Sequence, residues 1–295
     1  MISEAKRFPP PPGIPNGCLD RQTNPGQDPL GSPVFEDDVP QLVIRRDRWP
    51  EVIPKMNSTA YHSTQVKDQN GEGSCASNMT ASGLQNILTR QGFAVENAQG
   101  KLVTDVHLSP VSLYKRVNGG RDSGSSIDTN LEEIARNGIL PEKGQGFAHE
   151  FPAVGWRTRL PDGWEETAKL FRFSEWWDIQ TVEGFVSALL LGVPVAYGRS
   201  GHAILAVSAR LDSRGRLIVI YQNSWGNWGG ANANHTYGFG EDDESDFSSW
   251  IGRYGAWAPR VALTAEGTVG TVVPNRSGDP LTPKGPVPWK PKGAA

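Results

Sequence analysis

The chain has 295 residues, of which 37% are hydrophobic and 21% are charged, and its formal net charge is −3. This length and composition suit one medium-sized globular domain, or two halves that are tightly joined. A charge this close to zero gives no electrostatic reason to expect a nucleic acid or an anionic membrane as partner. No apolar run approaches the roughly 18 residues that a transmembrane helix requires.

Cysteine usage and the N-terminal sequence indicate a reducing compartment. The chain has two cysteines, Cys18 and Cys75, which are too few for a disulfide framework or for a zinc site. The opening sequence MISEAKRFPPPPG runs into prolines without the apolar segment of a signal peptide. We therefore expect a cytoplasmic protein, or a virion-associated one if a phage encodes it.

Proline content divides the chain into three parts. Nine prolines lie in residues 1–40 and six in residues 263–295. We predict an extended N-terminal arm, partly polyproline II, and a Pro/Gly-rich C-terminal tail on either side of a domain over residues 41–262. The plain interpretation of both arms is a flexible linker. The alternatives are that they dock onto a protein partner or lie over the surface of the domain itself.

Three segments of the domain have the apolar period of amphipathic helices. The first begins at Ser74 or Cys75 and ends near Arg90. The second covers about residues 128–137 and the third about residues 181–191. A glycine closely follows each of the three, as is common just past the end of a helix.

After the third helix, the period changes to that of β-strands. The segments VPVAYG, HAILAVSAR and LIVIYQN are predicted strands, separated by the turns GRSG and LDSRGR. Helices followed by antiparallel strands predict an α+β fold with two lobes. The helical lobe would cover about residues 70–160 and the β lobe about residues 165–262. A cleft between two such lobes is the natural place for a functional site.

Cys75 has the surroundings that a nucleophilic thiol needs. A free thiol has a pKa of roughly 8.5, and both a helix N-terminus and a neighbouring imidazolium lower it. At the predicted helix start, the backbone N–H of Cys75 would point toward a developing oxyanion. Gln69, folded back by the NGEGS turn, is a candidate for the second oxyanion donor. The alternative is that Cys75 is an inert apolar residue packed inside the domain.

His202 is the candidate base, because it begins a predicted strand directly after a tight turn. If the LDSRGR turn closes an even-numbered loop, Asn223 faces Ile204 and shares a face of the sheet with His202. The Asn223 side-chain oxygen would then orient the imidazole, and Trp225 would cover that bond from water. A register shifted by one residue would place His202 and Asn223 on opposite faces.

These motifs resemble those of papain-like cysteine peptidases, the papain family C1. VKDQNGEGSC resembles the active-site segment of the family, GHAILAV its histidine strand and YQNSWGNWGG its Asn-Ser-Trp-Gly segment. The stretch DSGSSIDTNLEEIARNGILPE is similar to the middle of non-secreted bacterial and viral members, where a glycine-containing loop lines the substrate cleft. The likeness spans about residues 40–262, and the motifs follow the family's order.

The resemblance implies a two-lobed papain-like fold, with the cysteine on the helical lobe and the histidine and asparagine on the β lobe. It implies a cysteine-type endopeptidase that acts on peptides or proteins and needs neither a metal nor an organic cofactor. The implied catalytic residues are the nucleophile Cys75, the general acid and base His202, its orienting partner Asn223 and the oxyanion donor Gln69. The implied substrate-binding residues are Gly73, Ser74, Gly124, Ser125 and Trp225.

The chain departs from the family pattern around the site. Ala76 stands where a large aromatic residue usually follows the nucleophile, and Glu72 replaces a cysteine that forms a disulfide in secreted members. The segment from Pro194 to His202 is short, which shortens one wall of the substrate cleft. An alternative function is therefore a catalytically silent papain-like module of a larger assembly, such as a phage particle, docked through its proline-rich arms. A third is acyl transfer to an amine by the same chemistry, as in transglutaminases.

Overall fold

The computed structural model describes residues 11–12, 17–23, 33–56, 65–90, 94–230, 236–264 and 267–271. The predicted C-terminal tail lies almost entirely outside these ranges, and so does part of the predicted N-terminal arm. The described part combines α-helices with a large antiparallel sheet, which confirms the α+β prediction.

The described residues form nine α-helices, and the three that the apolar period predicts begin and end close to their predicted bounds. In chain order they are α1 (Phe35–Asp38), α2 (Trp49–Val52), α3 (Cys75–Arg90), α4 (Pro110–Val117), α5 (Ile127–Asn137), α6 (Trp164–Ala168), α7 (Val182–Leu190), α8 (Glu244–Phe247) and α9 (Ile251–Tyr254). Side-chain caps explain two of the starting points: Ser126 accepts a hydrogen bond from the Thr129 N–H at the head of α5, and Thr181 accepts one from the Gly184 N–H at the head of α7.

Helix α3 is the central element of the fold. Every residue from Cys75 to Leu88 is buried, because α3 contacts α4 and α5 as well as the large sheet. Two of its buried polar side chains tie it in place: Ser77 donates a hydrogen bond to Asn130 of α5, and Thr80 donates one to the Ala76 carbonyl. A helix enclosed in this way holds its first residue at a fixed position.

The strands form a two-stranded ribbon and a seven-stranded antiparallel sheet. The strands are β1 (Val95–Glu96), β2 (Leu102–Val103), β3 (Arg172–Asp178), β4 (Val195–Arg199), β5 (His202–Leu211), β6 (Leu217–Gln222), β7 (Phe239–Asp243), β8 (Ala256–Thr264) and β9 (Gly267–Thr271). In the large sheet the order is β3-β8-β4-β5-β6-β7, and β9 pairs with β8. The three predicted strands are β4, β5 and β6.

The β5–β6 hairpin does not have the predicted even-numbered loop. Leu211 pairs with Leu217, so the loop between the two strands is odd-numbered and that part of the prediction is wrong. A register shift between Ala206 and Ser208 then moves the pairing by one residue, so that Leu205 pairs with Gln222. This β-bulge restores, at the end of the hairpin that carries the site, the register predicted for Asn223.

Part of the predicted N-terminal arm is packed into the fold. Phe35 is fully buried and meets Trp177 of β3 edge-on, with ring centroids 5.3 Å apart. The Glu36 carboxylate accepts hydrogen bonds from the backbone N–H and the hydroxyl of Thr181 at the head of α7. The boundary between arm and domain at residue 41 stays a prediction.

The described ranges contain neither a membrane-spanning helix nor a cluster of metal-ligating side chains. None of the helices there is long and apolar enough to cross a membrane. No group of histidine, cysteine, aspartate and glutamate side chains within the same ranges is arranged to hold a metal ion.

Candidate active site

A tight turn leads the chain into the head of α3. The Glu72 N–H donates to the Gln69 carbonyl at 2.9 Å, and Asn70 and Gly71 between them have φ values of 47° and 78°. Asn and Gly tolerate this left-handed conformation better than other residues, so the Asn-Gly pair allows the turn. The turn brings Gln69 back toward Cys75, the first residue of α3, which is fully buried.

The hydrogen bonds of Gln69 fix the orientation of its amide. The hydroxyl of Ser224 donates to Gln69 Oε1 at 2.7 Å, and Gln69 Nε2 donates to the Glu72 carbonyl at 2.6 Å. A side-chain amide nitrogen carries two N–H groups, so Nε2 has a second one that it can offer to an oxyanion. The backbone N–H of Gln69 also donates to the Ser224 carbonyl at 2.8 Å, which links the turn to the segment after β6.

His202 and Asn223 form the hydrogen bond that the sequence predicts. His202 Nε2 lies 2.8 Å from Asn223 Oδ1, and that oxygen also accepts the Ser224 N–H at 2.7 Å. A backbone N–H only donates, so Oδ1 must be the acceptor and the amide cannot be flipped. In the neutral ring Nε2 therefore carries the proton. Nδ1 is the basic nitrogen, and it is buried without a hydrogen-bond partner among the described residues.

Trp225 covers the imidazole from one side. Its ring stacks on His202 with centroids 4.3 Å apart and an interplanar angle of 22°. Trp228 packs edge-on against Trp225, with ring centroids 5.1 Å apart. This packing keeps His202 in one plane and excludes water from its bond to Asn223.

The thiol of Cys75 lies within hydrogen-bonding reach of the backbone of Ala203, the residue that follows His202. The head of α3 thus lies against the end of β5 that carries His202, and Gln69 is bonded to Ser224, the residue after Asn223. Cys75 and Gln69 come from the head of α3 and the turn before it, whereas His202 and Asn223 come from the edge of the β5–β6 hairpin.

The remaining predicted site residues lie on two segments that are tied together. The Gly73 N–H donates to Asp122 Oδ1 at 2.8 Å, and the Tyr114 hydroxyl donates to the same oxygen at 2.8 Å. The Tyr114 oxygen also accepts the Gly124 N–H at 3.0 Å. These bonds hold Gly73 and Ser74 beside Gly124 and Ser125.

Sequence reasoning missed Tyr114 and Asp122, which make this connection. No sequence signal separates Tyr114 from an ordinary core aromatic residue on an amphipathic helix. Glu72, noted only as a departure from the family pattern, also has a positioning role. Its Oε1 accepts the N–H groups of Gly155 and Trp156 at 2.9 and 3.2 Å.

A segment of the N-terminal arm, residues 17–23, lies across the site. The Ser125 N–H donates to the Gly17 carbonyl at 2.9 Å, and the Leu19 N–H donates to the Ser125 carbonyl at 3.1 Å. Cys18 thus pairs with Ser125 in a parallel bridge, and its own N–H donates to the Gly201 carbonyl at 2.9 Å. The backbone of Gly17 also lies within hydrogen-bonding reach of the Cys75 thiol. This corresponds to the alternative in which the arm lies over the domain itself.

Side chains of both halves of the domain anchor this segment. Asp128 Oδ2, on α5, accepts the N–H groups of Gln22 and Thr23 at 2.7 and 2.9 Å and the Thr23 hydroxyl at 3.0 Å. Arg21 forms a buried ion pair of 2.7 Å with Asp178 at the end of β3. Asp20 pairs with Arg253 of α9 at 2.8 Å.

Burial decides the protonation of the cysteine and the histidine. It raises the pKa of the Cys75 thiol to about 11 and lowers the pKa of His202 to about 4, although the hydrogen bond that His202 donates to Asn223 acts to raise the latter pKa. Both groups are therefore neutral at pH 7 while the arm covers them. This differs from the expected low pKa of Cys75, because the loss of solvent raises the pKa by more than the helix N-terminus lowers it.

Comparisons with known proteins agree on one kind of structure. No family model matches the chain, and no curated protein matches it. Among solved structures, it is similar to xylellain, a cysteine protease from Xylella fastidiosa, with 19% identity and a TM-score of 0.45 over 69% of this chain and 89% of that one. It is also similar to the bromelain protease from Ananas comosus, with 15% identity and a TM-score of 0.47 over 69% and 97% of the two chains.

A third similar structure is procathepsin B from Trypanosoma congolense, with 15% identity and a TM-score of 0.46 over 81% of this chain and 78% of that one. All three are papain-family cysteine proteases, the family that the sequence motifs resemble. At these identities and TM-scores, the likeness does not assign an activity to this chain.

Proposed function

We propose that the chain is a papain-like cysteine endopeptidase with Cys75 as its nucleophile. The observation that supports this most is the 2.8 Å bond between His202 and Asn223, beside a cysteine at the head of a buried helix. The bond fixes which nitrogen of His202 carries a proton, and it leaves the basic nitrogen for the thiol. Nucleophile, base and orienting group are the set that thiol catalysis requires.

The reaction is acyl transfer from a peptide to water. His202 Nδ1 takes the thiol proton, and Cys75 Sγ attacks the carbonyl carbon of the scissile bond. The oxyanion is stabilised by the backbone N–H of Cys75 and by the free N–H of Gln69 Nε2. His202 then gives its proton to the leaving amine, and the acyl-thioester that remains is hydrolysed by a water molecule that His202 deprotonates.

The arm has to leave before a substrate can bind, since it occupies the backbone groups of Ser125 and Gly201 and the Gly17 backbone lies within hydrogen-bonding reach of the thiol. Its departure admits water, which removes the cause of the raised Cys75 pKa and of the lowered His202 pKa. The helix N-terminus and the imidazolium then favour the thiolate. In this proposal, the covered form is a resting state with a protonated thiol.

The groups that hold the arm are the groups that we propose hold a substrate. Ser125 offers a backbone N–H and a carbonyl, and Gly201 offers a carbonyl, to whichever chain lies in the cleft. Gly73, Ser74 and Gly124 border the same path, and Trp225 lies beyond His202. An extended peptide or an unfolded protein segment has the backbone groups to take the place of the arm.

A catalytically silent module is the second candidate. The observation that favours it is the complete burial of Cys75 beneath a segment anchored at Asp128 and Asp178. A structural module, however, has no use for the fixed tautomer of His202 or for the oriented amide of Gln69.

The test compares digestion of unfolded casein by the full-length chain and by its Gly17→Ala variant, in which the arm cannot seat. We expect cleavage by Gly17→Ala that disappears when Cys75→Ser or His202→Ala is added, whereas adding Cys18→Ser leaves it unchanged. If Gly17→Ala exposes Cys75 to iodoacetamide and yet cleaves no casein, the peptidase proposal is wrong and the silent module is supported.

A further inference from the structure

Ser125 holds the backbone of the chain that lies in the cleft. Its N–H donates to the Gly17 carbonyl at 2.9 Å, and its carbonyl accepts the Leu19 N–H at 3.1 Å. In the proposed function, a substrate binds to these same two groups. Their position relative to Cys75 therefore decides whether a bound peptide carbonyl comes within reach of the sulfur.

The side chain of Ser125 is bonded to Asn130, near the N-terminus of α5. Asn130 Nδ2 donates to Ser125 Oγ at 2.8 Å and to the Ser126 carbonyl at 2.7 Å. A carbonyl oxygen only accepts, so Nδ2 must be the donor and the amide cannot be flipped. The remaining polar atom of the side chain, Oδ1, is therefore an acceptor.

Ser77 joins this amide to the helix that carries Cys75. The Ser77 hydroxyl donates to Asn130 Oδ1 at 2.5 Å, and Ser77 lies in the first turn of α3, two residues after Cys75. The three bonded side chains are buried, so water has little access to the hydrogen bonds between them. Together they form a bridge from the head of α3 to the residue that holds the arm, and we call it the Ser77–Asn130–Ser125 bridge.

We infer that Asn130 is a positioning residue, which holds the backbone of Ser125 at a fixed distance from Cys75 through Ser77. This inference rests on the proposed peptidase function and adds to it a residue that touches neither the substrate nor the reacting atoms. Without the bridge, Ser125 can shift relative to α3, so a peptide in the cleft binds more weakly. The hydrogen bonds that orient the catalytic side chains do not involve the bridge, so the chemical step is retained.

The alternative is a local role for Asn130 in α5, since its Nδ2 also bonds the Ser126 carbonyl. Ser77→Ala separates the two roles, because it removes the bond to α3 and leaves both bonds of Nδ2 in place. Thr80→Val is the matched control. The Thr80 hydroxyl is also buried in α3, but it donates within the helix, to the carbonyls of Ala76 and Ser77.

The first experiment uses the arm as the ligand, so it does not depend on peptidase activity. In a Cys18→Ser background, alkylation of Cys75 by iodoacetamide at pH 7.5 reports whether the arm is seated. We expect Ser77→Ala and Asn130→Ala each to label at least about threefold faster than Thr80→Val. Adding Ser77→Ala to Asn130→Ala should increase the rate no further, because both substitutions cut the same bridge.

Two outcomes of this experiment would overturn the inference. Equal labelling of Ser77→Ala and Thr80→Val would mean that the bond to α3 does not position Ser125. Effects that multiply in the double variant would mean that Ser77 and Asn130 act independently. If thermal melting shows that Asn130→Ala does not fold, Asn130→Ser provides the same comparison with a smaller change.

The second experiment measures the effect on a substrate. In the Gly17→Ala variant, we expect Ser77→Ala and Asn130→Ala each to raise KM for one peptide substrate at least about threefold and to leave kcat within about twofold, whereas Thr80→Val changes neither. A fall in kcat at an unchanged KM would overturn the inference. Absence of all cleavage would count against the peptidase proposal instead, and the alkylation experiment would still decide the role of the bridge.

Discussion

Gly17 is seated so closely on Gly73 that a Cβ atom on Gly17 would lie 2.2 Å from the Gly73 carbonyl oxygen. Gly73 cannot retreat, because Asp122 holds its N–H and Cys75 begins a buried helix two residues later. The arm can therefore lie on the thiol only if this position is a glycine. A single methyl group added at this point should separate the arm from the site.

The first prediction is that Gly17→Ala exposes Cys75. In a Cys18→Ser background, we expect its alkylation at pH 7.5 to be at least about tenfold faster than with Gly17 in place, because the thiol regains solvent. The matched control is Leu19→Ala, two residues along, whose side chain is 44% exposed and which should label as slowly as the parent. Equal rates for Gly17→Ala and Leu19→Ala would show that the arm does not protect the thiol.

The second prediction concerns Asn223, whose Oδ1 accepts from both His202 and the Ser224 N–H. In the Gly17→Ala background, Asn223→Ala should lower kcat by roughly 10²-fold with little change in KM, because an unoriented imidazole is a poorer proton carrier. Steady-state kinetics on one peptide substrate measures both constants.

Asn223→Asp is the informative companion to that variant. It keeps an acceptor for His202 but adds a negative charge, which raises the pKa of the imidazole. We expect the alkaline limb of its pH profile to move to higher pH relative to the Gly17→Ala parent, because the thiolate–imidazolium pair persists until the imidazolium loses its proton. A structural role for Asn223 alone would lower activity in both variants without moving the profile.

The positions of the helices and strands around the site could be predicted from the sequence, but the hairpin shows the limit of such reasoning. The apolar period gave α3, α5, α7 and strands β4 to β6 nearly to the residue. The prediction that the β5–β6 loop has an even number of residues was wrong, and the bulge between Ala206 and Ser208 compensates for the difference. The sequence of that segment contains no signal for a bulge, because the run HAILAVSAR is apolar on both faces of the strand.

The position of the arm over the site could not be predicted either, but the reason is different. Residues 17–23 are held by backbone groups, which every sequence has, and by Asp128, Asp178 and Arg253, none of which stands in a recognisable motif. The requirement for glycine at position 17 comes from its contact with Gly73, which is distant in sequence. The pKa of Cys75 was misjudged for the same reason, since its burial depends on this segment.

The third prediction concerns Tyr114, whose hydroxyl joins Asp122 to the Gly124 N–H. In Tyr114→Phe the buried N–H of Gly124 loses its acceptor, so the free energy of unfolding should fall by about 1–3 kcal/mol. Urea denaturation measures the change, and Tyr237→Phe is the control, since Tyr237 is 56% exposed and its hydroxyl should contribute little. Equal stability of the two variants would mean that the bond to Gly124 is replaced by another.

The fourth prediction follows from the neutral, buried state of His202. Burial lowers its pKa to about 4 from an ordinary value of 6.5. Between these two pH values, the unfolded chain binds a proton at His202 and the folded chain does not. The free energy of unfolding should be fully retained above pH 6.5 and should fall as the pH drops toward 4, by up to about 1.4 kcal/mol per pH unit from this group. Urea titrations between pH 7 and pH 4 measure the slope. Carboxylates also titrate between pH 7 and pH 4, so the contribution of His202 is the difference between the slope of the parent and that of His202→Gln. The slope of His202→Gln should be the shallower one. Parallel curves for the two proteins would contradict a buried neutral imidazole.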